Sequence, residues 1–130
     1  MSMLSAFKVS ASGLAAERYR LDVISTNLAN ANTTKVDGRN PYRRRTVQLS
    51  EDPNGGVKVI NTVDDMSEFR QVVDRDNPLA DANGIVYYSN VDPIAEMVDM
   101  IGASRSYEAN LNAFQATKQM IQRTLDILRA

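Results

Sequence analysis

The sequence contains no cysteine, no histidine and no tryptophan in 130 residues. Without thiols or imidazoles it can form no disulfide, no iron–sulfur cluster, no cysteine nucleophile and no zinc site built from these ligands. Histidine is also the commonest general base at neutral pH. These absences disfavour an enzyme, and we predict that the chain uses no metal and no cofactor.

Long apolar runs are missing as well. No segment approaches the roughly 18 apolar residues of a transmembrane helix. Serines and Lys8 interrupt the N-terminal stretch before it reaches the apolar length of a signal peptide. The sequence therefore predicts no membrane insertion and no conventional cleaved signal, so any export from the cytosol requires another route.

The acidic residues of the middle of the chain do not form a recognisable site. A calcium loop places ligands at alternate positions around a glycine turn and ends on a glutamate, and the sequence contains no such pattern. It contains no phosphate-binding glycine loop either. Paired carboxylates for glycoside hydrolysis stay open, because their spacing is spatial rather than sequential. Solvated loop acids are the favoured interpretation of Asp64, Asp65, Asp74, Asp76 and Asp81.

Charge is distributed unevenly along the chain. Residues 1–50 carry 8 basic and 3 acidic groups, whereas residues 51–100 carry 3 basic and 11 acidic groups. The clearest basic patch is Arg43-Arg44-Arg45, which we expect to pair with acids of residues 64–81 on an adjacent subunit. Nucleic-acid binding is the alternative for this patch, but the acidic middle and the sequence pI of about 5.4 disfavour it.

Both ends of the chain predict long amphipathic helices. Asp92-Pro93 is a typical helix start, since Asp caps free N–H groups and Pro needs none at the first position. Apolar residues then recur every three or four positions to the C-terminus, and the same spacing covers residues 2–32. The predicted seam, which we expect to be an assembly interface, comprises Leu4, Phe7, Leu14, Leu21, Leu28, Ile94, Met97, Ile101, Leu111, Phe114, Ile121, Leu125 and Leu128.

The middle of the chain predicts a small β-rich module. Four β-branched or aromatic segments are separated by turn signals, and the first two could form a hairpin around the turn at 52–56. They are Thr46–Leu49, Val57–Val63, Phe69–Val73 and Ile85–Tyr88. We predict an α+β fold with three segments: an N-terminal helix (1–35), the β-rich module (36–90) and a C-terminal helix (91–130), the two helices pairing as a coiled coil.

Two stretches resemble the signatures of the bacterial flagellar axial proteins, which include rod, hook and hook-associated subunits. Residues 24–35 read ISTNLANANTTK, and residues 106–110 read SYEAN. Three further stretches are similar to rod members of that family: PYRRR at 41–45, NPLADANG at 77–84 and NVDPIAEMV at 90–98. Ser89 and the short 46–63 stretch depart from the family pattern.

The resemblance implies a non-enzymatic structural subunit of the proximal rod in the flagellar basal body. Such a subunit polymerises through its terminal helices into a torque-transmitting shaft, together with other rod proteins and further copies of itself. It is exported by the flagellar type III apparatus without a cleaved signal. The residues expected to make subunit contacts are Asn27, Asn30, Asn32, Arg43, Arg44, Arg45, Tyr107, Glu108 and Asn110.

Blander interpretations exist for several of these residues. The three asparagines can simply end the first helix through local hydrogen bonds. Glu108, like Ser104 and Lys118, either fixes the register between helices or faces water. Another flagellar axial subunit and a soluble coiled-coil adaptor are the alternative functions, and an enzyme is the least favoured class.

Overall fold

The computed structural model describes residues 2–130, and it confirms the predicted α+β fold. Two long helices flank four strands. The elements, in chain order, are α1 (Met3–Ala29), β1 (Arg45–Glu51), β2 (Val57–Asp64), β3 (Arg70–Val73), β4 (Ile85–Tyr88) and α2 (Pro93–Arg129). No helix within residues 2–130 has the length and apolar character needed to cross a membrane.

Polar side chains fix the starts of both helices. The Ile94 N–H donates to Asp92 Oδ1 at 3.0 Å, and Pro93 is the first helical residue. At the start of α1, the Ser5 N–H donates to Ser2 Oγ at 3.1 Å. A capping side chain satisfies an N–H group that has no partner inside the helix. The predicted start of the C-terminal helix is therefore confirmed.

The four strands form two separate two-stranded sheets, β1–β2 and β3–β4. A tight turn joins β1 to β2: the Asp52 N–H donates to the Gly56 carbonyl at 2.9 Å. Gly55 and Gly56 have φ angles of 99° and 88°, a region that glycine adopts without steric cost. The strands β3 and β4 are antiparallel, with Arg70 opposite Tyr88 and Val73 opposite Ile85. All four predicted strands exist, within two residues of their predicted bounds.

The chain folds into two compact units, and both long helices contribute to each. Unit 1 contains the residues up to Leu21, Val47–Asn61 and Ile101–Ala130; unit 2 contains Asp22–Thr46 and Thr62–Met100. This division follows three-dimensional contacts and not the linear order of the three predicted segments. The predicted segment boundaries at 35 and 90 stay a prediction.

The two units differ in what they bury. In the described part of unit 1, the buried side chains are those of two alanines, Ala16 and Ala103. Larger side chains there are half-buried or exposed, and the rings of Phe7 and Phe114 pack with their centroids 4.1 Å apart. Unit 2 buries Ile24, Ala31, Val86 and Val91 together with the polar side chains of Asn27, Ser89 and Glu96.

Candidate functional site

Arg44 lies at the centre of the main polar cluster of unit 2. Its Nε donates to Glu96 Oε1, and its two terminal nitrogens lie 3.4 Å from Asp65 Oδ2 and 3.4 Å from Asp99 Oδ2. The Glu96 side chain is 1% exposed, whereas that of Arg44 is 24% exposed. Burial lowers the pKa of the Arg44 guanidinium, but the hydrogen bond and attraction of Glu96 outweigh it, so the net pKa is raised. Arg44 therefore stays charged and supplies the cation that a buried carboxylate requires.

Asn27 forms the second centre of the cluster, near the end of α1. Its Oδ1 accepts from the Tyr42 hydroxyl at 2.8 Å and from the Arg45 N–H at 3.1 Å. Its Nδ2 donates to the Arg45 carbonyl at 2.9 Å and to Glu96 Oε2 at 3.1 Å. The amide thus uses both of its donor hydrogens and both of its acceptor positions in hydrogen bonds, as is typical of a buried polar group. Burial also raises the pKa of the Tyr42 phenol, which stays a hydrogen-bond donor.

Asn90 connects the same region to the segment that follows β2. Its Oδ1 accepts from the Arg44 N–H at 2.7 Å, and its Nδ2 donates to the Asp65 carbonyl at 3.0 Å. The Ser67 N–H donates to Asp65 Oδ1 at 2.9 Å, and this bond, with the Ser67 hydroxyl and Arg44, lowers the pKa of Asp65. We define the polar cluster as Asn27, Tyr42, Arg44, Asp65, Asn90, Glu96 and Asp99.

The polar cluster joins three of the motifs that carry the flagellar resemblance. Asn27 comes from the 24–35 stretch, Tyr42 and Arg44 from the 41–45 stretch, and Asn90 and Glu96 from the 90–98 stretch. Thr33 adds a further link, since its Oγ1 accepts from the Tyr42 N–H at 3.0 Å. The arrangement immobilises three distant parts of the chain and contains no nucleophile with an adjacent base. Within residues 2–130, no three aspartate or glutamate side chains are grouped in a way that could hold a metal ion.

The predicted contact residues occupy different environments. Asn27 is buried, Asn32 is exposed, and the Asn30 amide donates to the Thr26 carbonyl at 2.8 Å, as a helix-ending residue does. Arg43 donates to the Asp65 carbonyl at 2.9 Å, so its partner also belongs to the same chain.

The next two arginines have acidic partners within the chain. Arg44 contacts three acids, and Arg45 Nε lies 3.4 Å from Asp64 Oδ1, with both of these side chains 54% exposed. A salt bridge between this basic patch and an adjacent subunit stays a prediction. Arg45 is the most exposed of the three arginines.

The predicted seam divides into exposed and half-buried members. The exposed ones include Leu4 at 75%, Ile94 at 74% and Leu128 at 76%, with Met97, Ile101 and Leu125 also exposed. The remaining members are half-buried: Phe7, Leu14, Leu21, Leu28, Leu111, Phe114 and Ile121. Six large apolar side chains on two helices thus have little protein cover within this chain.

The most covered stripe of α2 is different from the predicted seam. It follows a regular four-three spacing through Glu96, Met100, Ala103, Tyr107, Asn110 and Phe114. Glu108, by contrast, is exposed. In unit 1, a Cβ added to Gly13 would lie 2.8 Å from Asn110 Nδ2, so Gly13 permits a close approach. Sequence reasoning missed Glu96 and Asn90. For Glu96 the available signal was the seven-residue recurrence of Glu96, Ala103 and Asn110, whereas Asn90 lies before α2 and has no such pattern.

Comparison with known proteins identifies relatives along the whole chain. The family described as "Flagella basal body rod protein" matches residues 7–35, and the one described as "Flagellar basal body rod FlgEFG protein C-terminal" matches residues 82–127. The chain is 41% identical to the flagellar basal-body rod protein FlgC of Bacillus subtilis, over 98% of this chain and 99% of that protein. The proteins of the same name from Aquifex aeolicus and Salmonella typhimurium are 40% and 39% identical, over 97% and 98% of each chain.

Proposed function

The chain belongs to the family of the flagellar basal-body rod protein FlgC, whose members are structural subunits of the rod, and we propose that it polymerises through its terminal helices. In this proposal the helices form the part of the rod that transmits torque. The observation that carries it is the set of exposed apolar side chains on α1 and α2. A free subunit exposes them to water, whereas neighbouring subunits would cover them.

The size of the exposed side chains supports this assignment. Leu4, Ile94 and Leu128 are each about three-quarters exposed, and Met97, Ile101 and Leu125 are about half exposed. Burying a Leu, Ile or Met side chain contributes roughly 1.5–3 kcal/mol, and contiguous apolar surface on a soluble chain is typical of an interaction site. Two such stretches lie at opposite ends of α2, so one subunit has apolar surface available for more than one neighbour.

Polar residues have separate roles in the proposal. The polar cluster holds unit 2 in one conformation, and we propose that Arg45, outside the cluster, makes ionic contacts with a neighbour. Glu108 and Lys118 are exposed on α2 and would restrict the alignment of adjacent helices. The proposed partners are other rod proteins and further copies of this chain.

Export forms a separate part of the proposal. We propose that the subunit reaches the basal body through the flagellar type III apparatus, without a cleaved signal. The absence of an apolar N-terminal run in residues 1–20 supports this route. Mass spectrometry of the subunit from purified basal bodies tests whether a signal is cleaved. A peptide that begins within the first few residues supports the proposal, and a mature N-terminus well beyond them contradicts it.

The polymerisation proposal is tested by making the exposed end of α2 polar. The double variant Leu125→Gln/Leu128→Gln removes two apolar side chains while keeping residues with good helix propensity. Expressed in a strain that lacks its own copy of the subunit, it should give no swimming and few basal bodies. The matched control, Gln119→Ser/Gln122→Ser, changes two exposed polar residues of the same helix and should restore swimming. Normal swimming of the double leucine variant would contradict the proposal.

A further inference from the structure

The strand β3 has one edge without a partner strand. It pairs with β4 alone among the strands of residues 2–130, and all four of its residues are exposed. Val73 is 72% exposed and Val72 is 37% exposed. An open edge presents unpaired N–H and C=O groups in a row, so it can accept a strand from another chain.

The pairing with β4 determines which backbone groups face outward. The Asp74 N–H donates to the Gly84 carbonyl at 2.9 Å, in line with the register that sets Val72 opposite Val86. Backbone groups alternate in direction along a strand, so Arg70, Val72 and Asp74 face β4. Gln71 and Val73 consequently direct their N–H and C=O groups away from the sheet, toward the open edge.

We propose that β3 pairs antiparallel with β3 of a second copy, about a two-fold axis through Val72. In this register Gln71 lies opposite the partner's Val73, and the two residues exchange both backbone hydrogen bonds. The same exchange occurs on the other side of the axis, which gives four bonds in total. Val72 then faces the partner's Val72 in a non-hydrogen-bonded pair, where side chains approach most closely.

Charge complementarity selects this register and this occupant. An antiparallel pair centred on Val72 sets Arg70 opposite the partner's Asp74, and the two-fold axis produces this ion pair twice. A register centred on Gln71 would oppose Arg70 to the partner's Val72. One centred on Val73 would oppose it to the partner's Asp76, which lies in the turn after the strand. Cross-strand pairs of opposite charge stabilise a sheet. Arg70 and Asp74 carry opposite charges at equal distances from Val72, so two antiparallel copies of this segment are complementary.

The contact differs in kind from the one that builds a rod. An isologous contact uses the same patch on both copies and saturates when the dimer forms, so it cannot extend into a polymer. It involves unit 2 strands, while the proposed polymerisation involves helix ends, and neither depends on the other. A four-residue strand pair buries little surface, so the dimer is weak and a covalent trap is the suitable measurement.

The absence of cysteine in the chain makes this trap simple. Residues in a non-hydrogen-bonded pair have Cα atoms about 4.5 Å apart, within the range of a disulfide. Val72→Cys should therefore form a disulfide dimer in oxidised glutathione, seen on a non-reducing gel. In Gln71→Cys and in Val73→Cys, the cysteine and its counterpart in the second copy are diagonal neighbours. Their Cα atoms are roughly 8 Å apart, which is beyond the reach of a disulfide. We expect Val72→Cys to cross-link at least tenfold faster than these two and than Ala82→Cys, an exposed loop control.

A mixture of two variants gives a second measurement if Val72→Cys fails to fold. Gln71→Cys mixed with Val73→Cys should cross-link into a heterodimer faster than either variant alone, because these residues oppose each other in the proposed register. Equal rates for all cysteine variants would overturn strand pairing. Fastest cross-linking of Gln71→Cys or Val73→Cys alone would overturn the register.

The ion pairs are tested in the Val72→Cys background. Arg70→Glu or Asp74→Arg alone creates like charges on both sides of the axis and should slow cross-linking by about three- to tenfold. The combination of both substitutions restores opposite charges and should return the rate to within twofold of the parent. Arg70 also lies over the Tyr88 ring at 4.7 Å, but damage to that contact would persist in the combined variant. Failure of the combined variant to recover would overturn the charge pairing.

Discussion

Asn27 Nδ2 donates to Glu96 Oε2 at 3.1 Å across 69 residues of sequence, and both residues are 1% exposed. This bond joins the end of α1 to the first turn of α2. The two side chains have further partners in Tyr42, Arg44 and Arg45. Unit 2 is therefore held by hydrogen bonds between distant segments as well as by apolar packing.

Asn27→Ala should lower the free energy of unfolding by about 2–4 kcal/mol, because it leaves several buried polar groups without partners. Urea unfolding of the full chain, followed by circular dichroism, measures this change. The matched control is Asn32→Ala, which removes an exposed amide of the same motif and should change stability by less than about 0.5 kcal/mol. Equal changes in the free energy of unfolding for the two variants would show that the buried amide contributes no more to stability than the exposed one.

Adjacent arginines should differ sharply in their contribution to stability. Arg44→Ala leaves the buried Glu96 carboxylate without its cation and should cost about 3–5 kcal/mol. Arg45→Ala breaks an exposed ion pair with Asp64 and should cost no more than about 1 kcal/mol. Urea midpoints of both variants provide the comparison. If Arg45→Ala were as destabilising as Arg44→Ala, the polar cluster would not be centred on Arg44. The small cost at Arg45 also makes Arg45→Glu the suitable variant for testing ionic subunit contacts.

Acid should remove the stabilisation contributed by Asp65. The Ser67 backbone N–H, then the Ser67 hydroxyl and Arg44, hold the pKa of this carboxyl below its usual value. A depressed native pKa stabilises the fold above the unfolded pKa, which is about 3.9 for Asp, and the effect is lost as pH falls through the native value.

Stability measured in urea at steps of pH should therefore fall below about pH 4, and Asp65→Asn should flatten part of that slope. Ser67→Ala should flatten a smaller part, because it removes the hydroxyl and leaves the backbone N–H. Identical slopes for the parent chain and Asp65→Asn would contradict the assigned pKa shift.

The two units should differ in amide hydrogen exchange when the subunit is a dilute monomer. Unit 1 buries only Ala16 and Ala103 among its described residues, and ordering each residue's backbone costs about 1–2 kcal/mol. We expect rapid exchange in residues 5–18 and 104–128 of the monomer and slow exchange of the same amides in assembled rods. Val86 and its neighbours in β4, where Val86 is fully buried, should exchange slowly in both states. Strong protection of both helix ends in a verified monomer would contradict this expectation.

The local structure of this chain was predictable because its signals are local. Asp92-Pro93 marks the start of α2, the glycines after Asp52 mark the hairpin turn, and β-branched residues mark β2. Each signal acts through backbone geometry or hydrogen bonds within a few residues. The strands therefore lie within two residues of their predicted bounds, and α1 lies within three residues of the periodic stretch 2–32.

The contacts between distant segments were harder to predict for two physical reasons. Hydrophobic periodicity in α2 favours the stripe through Ile94, Met97 and Ile101, yet the covered stripe contains Glu96, Ala103 and Asn110. Small side chains allow helices to approach closely, and polar ones are tolerated there when hydrogen-bonded, so the apolar stripe can be left for other contacts. The partner of a buried amide such as Asn27 is set by the tertiary fold, and no local pattern identifies it.

The flat geometry of the Arg44 side chain has a consequence for its replacement. The three nitrogens of the planar guanidinium each donate to a different carboxylate, those of Glu96, Asp65 and Asp99. A lysine ammonium concentrates its charge on a single tetrahedral nitrogen and cannot span acids arranged around the rim of a plane. Arg44→Lys should consequently leave at least one of these three acids without its cation, while Arg45, with its single exposed partner, can be replaced by lysine without loss of fold.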